Sequence, residues 1–176
     1  PIFRSETTAS ENPFTDIHAE DYYYDAVLWA AQKGVTGGTS DTTFTPDGAC
    51  TRAQAVTFLW RAAGSPEPKT LSSFADIPAD SYYAKAVAWA VENGVAKGVS
   101  DTLFAPDTTC TRAQIVTFLW RAQQSPSAGS ANPFADISAD AYYADAVLWA
   151  VENGVAKGMS STAFAPDANC TRAQIV

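Results

Sequence analysis

Residues 110–122 read CTRAQIVTFLWRA, and this stretch marks the start of a helix while posing a problem about it. Thr111 and Gln114, three residues apart, have the spacing of a capping box: the threonine hydroxyl takes the N–H of Gln114 and the glutamine amide reaches back to the N–H of Thr111. Cys110 before the cap and Ile115 at the fifth position form the pair expected of a hydrophobic staple. The body that follows, with Ile115, Val116, Phe118, Leu119 and Trp120, is apolar on nearly all sides, so this helix must be surrounded by protein. Arg112 is the anomaly. A helix start carries exposed N–H groups and about half a positive charge, so a cation there is mildly unfavourable.

The same CTRAQ returns at residues 50–54 and 170–174, sixty residues away on either side. Phe14, Phe74 and Phe134 keep that step, as do Trp29, Trp89 and Trp149, and Pro46, Pro106 and Pro166. Residues 74–116 and 134–176 differ at only nine positions. The chain is therefore an array of one unit, divided as 14–73, 74–133 and 134–176, with residues 1–13 ahead. A unit of about sixty residues with two short helices is too small to stand alone, which predicts a shared core. The third unit stops at Val176, a turn and a half into its second helix, while PIFRS at 1–5 resembles FLWRA at 58–62. Two readings follow: the sequence is cut from a longer array, or the N-terminal segment 1–13 completes the ring, and ring closure is the expectation carried forward.

Within a unit the pattern is helix, loop, helix. PADSYYAKAVAWAVENGV at 78–95 places Tyr83, Val87, Ala90 and Val91 on one helical face and Tyr82, Ala86 and Trp89 on a neighbouring one. Asn93-Gly94 should end that helix, with Val95 making the hydrophobic contact of a Schellman motif. The loop after it, GVAKGVSDTLFAPDTTC, carries turn chemistry at Gly98 and Ser100-Asp101-Thr102 around a buried Phe104. Pro- and Ser-rich stretches such as SPEPKTLSS link one unit to the next. The fold class is all-α: three helix-loop-helix repeats.

Charge and composition narrow the function. A net charge of −8 argues against a binder of nucleic-acid phosphates. No apolar run approaches the roughly 20 residues of a membrane span, which argues against membrane insertion. PIFRSETTAS has no apolar signal-peptide core, so the chain reads as intracellular, mature or an excised piece. There is no nucleophile–base set, glycine-rich phosphate loop or metal-ligand cluster, so an enzyme is not expected and no cofactor is called for. Cys50, Cys110 and Cys170 read as staple residues and free thiols, without the CxxC spacing or repeated histidine of a metal site. His18, replaced by Pro78 and Ser138 in the other units, reads as a surface residue.

Phe-x-Asp-Ile, a Tyr-rich helix, NGVAKG, F-x-P-D and TRAQ, in this order and three times over, resemble the S-layer homology domain. That resemblance implies a pseudo-threefold helical bundle that anchors an exported protein to the bacterial cell surface. It further implies that a secondary cell wall polysaccharide, often bearing pyruvylated N-acetylmannosamine, lies in grooves between units. The family's arginine contacts the acidic sugar, and its motif position falls on Arg52, Arg112 and Arg172. Asp16, Asp76 and Asp136, Tyr22, Tyr82 and Tyr142, and Gly38, Gly98 and Gly158 are the further candidate ligand positions. For the aspartates, capping or turn formation before the first helix is the competing reading. Two departures stand out: Gln54, Gln114 and Gln174 replace the family's glutamate, and the tyrosines stand where tryptophan is common. Self-association through a surface layer is a further implied partner.

A guanidinium beside a helix start suits a carboxylate or a phosphate, and the competing reading is an ion pair with Asp47, Asp107 or Asp167. If the arginines serve only a ligand, removing them should leave folding unchanged or slightly improved, and Arg172, on the truncated helix, should matter least. Long-range repulsion between an acidic protein and an acidic wall implies binding by short-range contacts that salt does not weaken. A protein-interaction array is the alternative function, because helical repeats also offer concave surfaces.

Overall fold

The computed structural model describes residues 11–176, so the expectation that the N-terminal segment completes the ring, which rests on residues 1–5, lies outside the described residues. Units 1 to 3 contribute first helices α1 (Tyr24–Gln32), α3 (Ala84–Glu92) and α5 (Ala144–Glu152), and second helices α2 (Arg52–Ala62), α4 (Arg112–Ala122) and α6 (Arg172–Ile175). Helix α2 packs on α3 and α4, and α4 packs on α5. Extended pairing among the described residues is confined to the isolated bridges Ala49–Thr171, Thr51–Thr109 and Thr111–Asn169, so the architecture is an all-α repeat fold.

The second helices start where the capping box places them. Thr51 accepts from the Gln54 N–H at 3.2 Å while the Gln54 side chain accepts from the Thr51 N–H, and Thr111 with Gln114 repeats the exchange. The first helices end as a Schellman motif: in α3 the Val95 N–H reaches Ala90 O at 2.8 Å and Gly94 takes φ +67°. They begin later than the apolar pattern suggests. Ser81 and Ala84 close successive turns on Pro78 and Ser81, and helix starts only at Ala84. Tyr82 consequently lies in a turn, exposed, and Val91 is exposed as well, while Val87 and Ala90 are buried.

The three units close around an axis made of backbone. Cys110 N–H donates to Cys50 O at 2.8 Å, Cys170 N–H to Cys110 O at 2.9 Å, and Cys50 N–H to Cys170 O at 2.9 Å. Each helix start then takes carbonyls from the loop of the following unit. Arg52 and Ala53 N–H groups bond Thr108 O and Pro106 O, those of Arg112 and Ala113 bond Ala168 O and Pro166 O, and those of Arg172 and Ala173 bond Gly48 O and Pro46 O. The N–H groups that a helix start leaves unsatisfied are thus consumed by the neighbouring unit. All three cysteines are free and buried, and Phe44, Phe104 and Phe164 are wholly enclosed.

Candidate functional site

The three motif arginines do not point from the helix start into solvent. Arg52 is only 4 % exposed, as is Arg172, and each guanidinium lies 4.6 Å from the centroid of a phenylalanine ring in the next unit: Arg52 over Phe104, Arg112 over Phe164, Arg172 over Phe44. Nε donates to that phenylalanine's carbonyl, at 2.9 Å for Arg52, 3.0 Å for Arg112 and 2.8 Å for Arg172. In two units Nη2 adds a second bond, from Arg52 to Lys97 O at 2.8 Å and from Arg112 to Lys157 O at 2.7 Å. No ion pair joins them to Asp47, Asp107 or Asp167; among the described residues the salt bridge present is Lys85–Glu67. Backbone carbonyls and an aromatic face hold the cations in place. Burial lowers the pKa of Arg52 and Arg172, and both remain charged.

Asp16, Asp76 and Asp136 tie the same loops down. Asp16 accepts from the N–H groups of Phe44 at 2.8 Å and Thr45 at 2.7 Å, Asp76 from Phe104 and Ala105, and Asp136 from Phe164 and Ala165. The second residue of each pair is left-handed without being glycine: Thr45 at φ 57°, Ala105 at 59°, Ala165 at 58°. Paired N–H bonds to one carboxylate offset the cost of that conformation. Burial pulls the Asp16 and Asp76 pKa upward, but the N–H donors outweigh it and both fall below the usual carboxylate value. At Asp136 the Phe164 N–H is the largest influence, and its pKa is also depressed. A Cβ at Gly38, Gly98 or Gly158 would lie 2.5–2.7 Å from a ring carbon of Phe14, Phe74 or Phe134, so these positions need glycine for close packing.

Tyr22, Tyr82 and Tyr142 are 79 %, 60 % and 61 % exposed, each set edge-on to the next tyrosine at 4.9–5.0 Å between ring centroids. Their faces are available for stacking. A cleft of about 390 Å³, within the usual range of about 300–1,000 Å³ for small-ligand sites, gathers Tyr82 of unit 2, Arg172 of unit 3, and Thr36–Thr39 and Arg61 of unit 1. All three units contribute to this groove. Gly38, Tyr82 and Arg172 are thereby brought together, whereas Asp16 does not line the cleft. His18 is exposed. Arg61 was not anticipated, although its recurrence as Arg121 on an otherwise apolar helix is a signal that could have found it.

The S-layer homology domain model matches residues 13–56, 73–116 and 133–176. The chain belongs to the S-layer homology family. It is 35 % identical over 170 residues to the surface-layer 125 kDa protein of Lysinibacillus sphaericus, covering 94 % of this chain and 14 % of that protein. It is 28 % identical over 176 residues to an endoglucanase of Bacillus sp. (strain KSM-635), 97 % of this chain and 18 % of the enzyme. An S-layer protein of Bacillus thuringiensis subsp. finitimus matches at 25 % over 174 residues, 97 % of this chain and 21 % of that protein. The chain thus spans about a fifth or less of the length of these relatives. S-layer homology domains are anchoring rather than catalytic modules that bind cell wall polymers in surface-layer proteins, which supports a place at the cell surface. No helix of the described residues is long and apolar enough to cross a membrane.

Proposed function

We propose that this chain anchors a surface protein to the bacterial cell wall by holding an acidic secondary cell wall polysaccharide in the grooves between its units. The observation that carries this reading is the cleft at unit 1. There an enclosed guanidinium, Arg172, a second cation, Arg61, and an exposed aromatic face, Tyr82, converge from three units. Cations and an aromatic plane are what an acidic sugar needs: charge-assisted bonds to its acid group and a flat surface for its ring. Arg52, Arg112 and Arg172 take the acid, a pyruvyl carboxylate in the form we favour, and Tyr142 and Tyr22 take the part of Tyr82 in the other grooves. Asp16, Asp76 and Asp136 contribute by positioning. Each fixes the loop whose phenylalanine carbonyl receives the arginine Nε, and Gly38, Gly98 and Gly158 let that loop approach its neighbours.

The test is sedimentation and titration calorimetry with purified wall polysaccharide, native and depyruvylated, at low and high salt. Binding of the native polymer that persists at high salt and weakens after depyruvylation is expected. Binding to neither polymer, together with capture of a protein from the surface layer, would favour a protein-interaction array instead.

A further inference from the structure

The three arginines are not equally satisfied. Arg52 and Arg112 each spend Nη2 on a lysine carbonyl, but Nη2 of Arg172 is buried with no hydrogen-bond partner. The residue equivalent to Lys97 and Lys157 is Gly37, followed by Gly38. Gly38 adopts φ +79°, while Gly98 and Gly158 do not enter the left-handed region. The Gly38 N–H donates to Thr36 Oγ1 at 3.3 Å, and Gly37 O, the counterpart of the acceptors that saturate the other two arginines, takes no bond from Arg172. The consecutive glycines of Thr36-Gly37-Gly38-Thr39 permit the left-handed conformation, whereas the other units have one glycine at that place.

A buried cationic donor without an acceptor is costly, and a ligand oxygen that satisfies it is bound correspondingly well. Arg172 and Arg61 both line the 390 Å³ cleft. The wall of that cleft is helix α2, which runs its full eleven residues. Of helix α6 only Arg172 lines this groove, and the rest of the lining comes from units 1 and 2, which reverses the expectation that Arg172 matters least.

We infer that the grooves are unequal, and that the cleft formed by residues 36–39, Arg61, Tyr82 and Arg172 is the tight site, taking the acidic substituent of a sugar onto Nη2 of Arg172, while the groove at Arg52 binds more weakly. This inference rests on the saccharide-anchoring reading above. In the groove at Arg52 an incoming acid must compete with Lys97 O for the same donor. The two sugar substituents with suitable oxygens, a carboxylate and a phosphate, are told apart by removing pyruvate from the polymer.

The experiment transplants the unit 2 loop into unit 1 in the whole chain: Thr36→Ala, Gly37→Lys and Thr39→Val together. These residues already form a folded loop in unit 2, and the change adds a positive charge. Titration with purified wall polysaccharide should show tight-site affinity reduced at least tenfold, with a melting temperature equal to or above that of the parent, because Arg172 regains an acceptor. A paired control compares Arg61→Gln, expected to cost at least tenfold, with its counterpart Arg121→Gln, expected to cost less than threefold. A parent that binds native but not depyruvylated polymer has a carboxylate at Arg172, and one that binds both has a phosphate there. Unchanged or stronger affinity in the loop transplant, or equal losses for Arg61→Gln and Arg121→Gln, overturns the inequality while leaving saccharide anchoring intact. A parent that binds no polymer overturns both.

Discussion

At the axis, Cys50, Cys110 and Cys170 pass a backbone hydrogen bond from unit to unit at 2.8–2.9 Å, and each helix start repeats the same two bonds to the next loop. At the rim, residues 36–39 read TGGT where 96–99 read AKGV and 156–159 read AKGM. The axis is closed by main-chain groups, whose geometry survives a change of side chain as long as the turns are kept. The rim presents side chains and, in unit 1, a glycine pair with Gly38 in the left-handed region, so single substitutions change what a groove offers. A repeat architecture built this way can hold its core constant while each groove acquires its own chemistry.

The sharpest way to break the comparison is to damage one loop on its inner and outer sides separately. Phe104 is enclosed, 5.8 Å from the Phe74 ring centroid, and supports Arg52, while its neighbour Leu103 is exposed. Phe104→Ala should cost about 3–5 kcal/mol in a urea denaturation experiment, and Leu103→Ala should stay within about 0.5 kcal/mol. Similar losses for the two would mean that the loop is not anchored from within.

Next in size is Arg52→Ala. From its place in the sequence the substitution should be neutral or helpful to folding, since a cation leaves a helix start. The bonds to Phe104 O and Lys97 O reverse that expectation: about 1.5–3 kcal/mol should be lost. Arg172→Ala should cost less, because only its Nε is bonded. Thermal melts of the two variants side by side decide the matter, and equal losses would remove the distinction between their grooves. Stability loss alone then no longer speaks against a ligand role, and affinity has to be read in titrations of folded protein.

What could be read from sequence was local. The Thr111–Gln114 box and the Asn93-Gly94-Val95 stop rest on contacts three to five residues apart, and the all-α repeat class follows from them and from the sixty-residue step. The first helices were harder, because the turns at Ser81 and Ala84 involve no apolar periodicity. The arginine's true partners were out of reach of pattern reading: Arg52 finds its carbonyls 45 and 52 residues along the chain, and Arg172 finds Phe44 128 residues back. Asp16 similarly serves N–H groups 28 and 29 residues away. Recurrence picked out these residues, but only the closing of units on one another shows what each one holds.

Smaller again is the aspartate clamp. Asp76→Ala should destabilise by about 1 kcal/mol through loss of the Phe104 and Ala105 N–H bonds at a partly exposed site. The folded pKa values of Asp16, Asp76 and Asp136 lie below the unfolded value of about 3.9. Their contribution is therefore present above about pH 4 and is lost as pH falls through the depressed folded values. An acid titration of the parent and Asp76→Ala should show the two melting curves converging below that point. A gap that stays constant down to pH 2 would assign the loss to packing rather than to the carboxylate.

The smallest effect at neutral pH belongs to the axial thiols. Burial pushes Cys50 and Cys110 up to about 12 and Cys170 up to about 11, against about 8.5 for an unfolded cysteine. The thiolate is the reactive form, so an aromatic disulfide reagent at pH 8 should label the folded protein slowly and the urea-unfolded protein at three sites. Because the folded values are raised, stability from the thiols is fully present below about pH 8.5 and is lost as pH rises towards 11–12. Cys170 is the least completely enclosed of the three, 4 % exposed against 0 % for Cys50 and Cys110, so it should be the first to label as the pH is raised. Mass spectrometry of partially labelled protein reads the order directly. Equal labelling of all three at the outset would mean that the ring opens as a unit, and the axis would then be no more rigid than the rim.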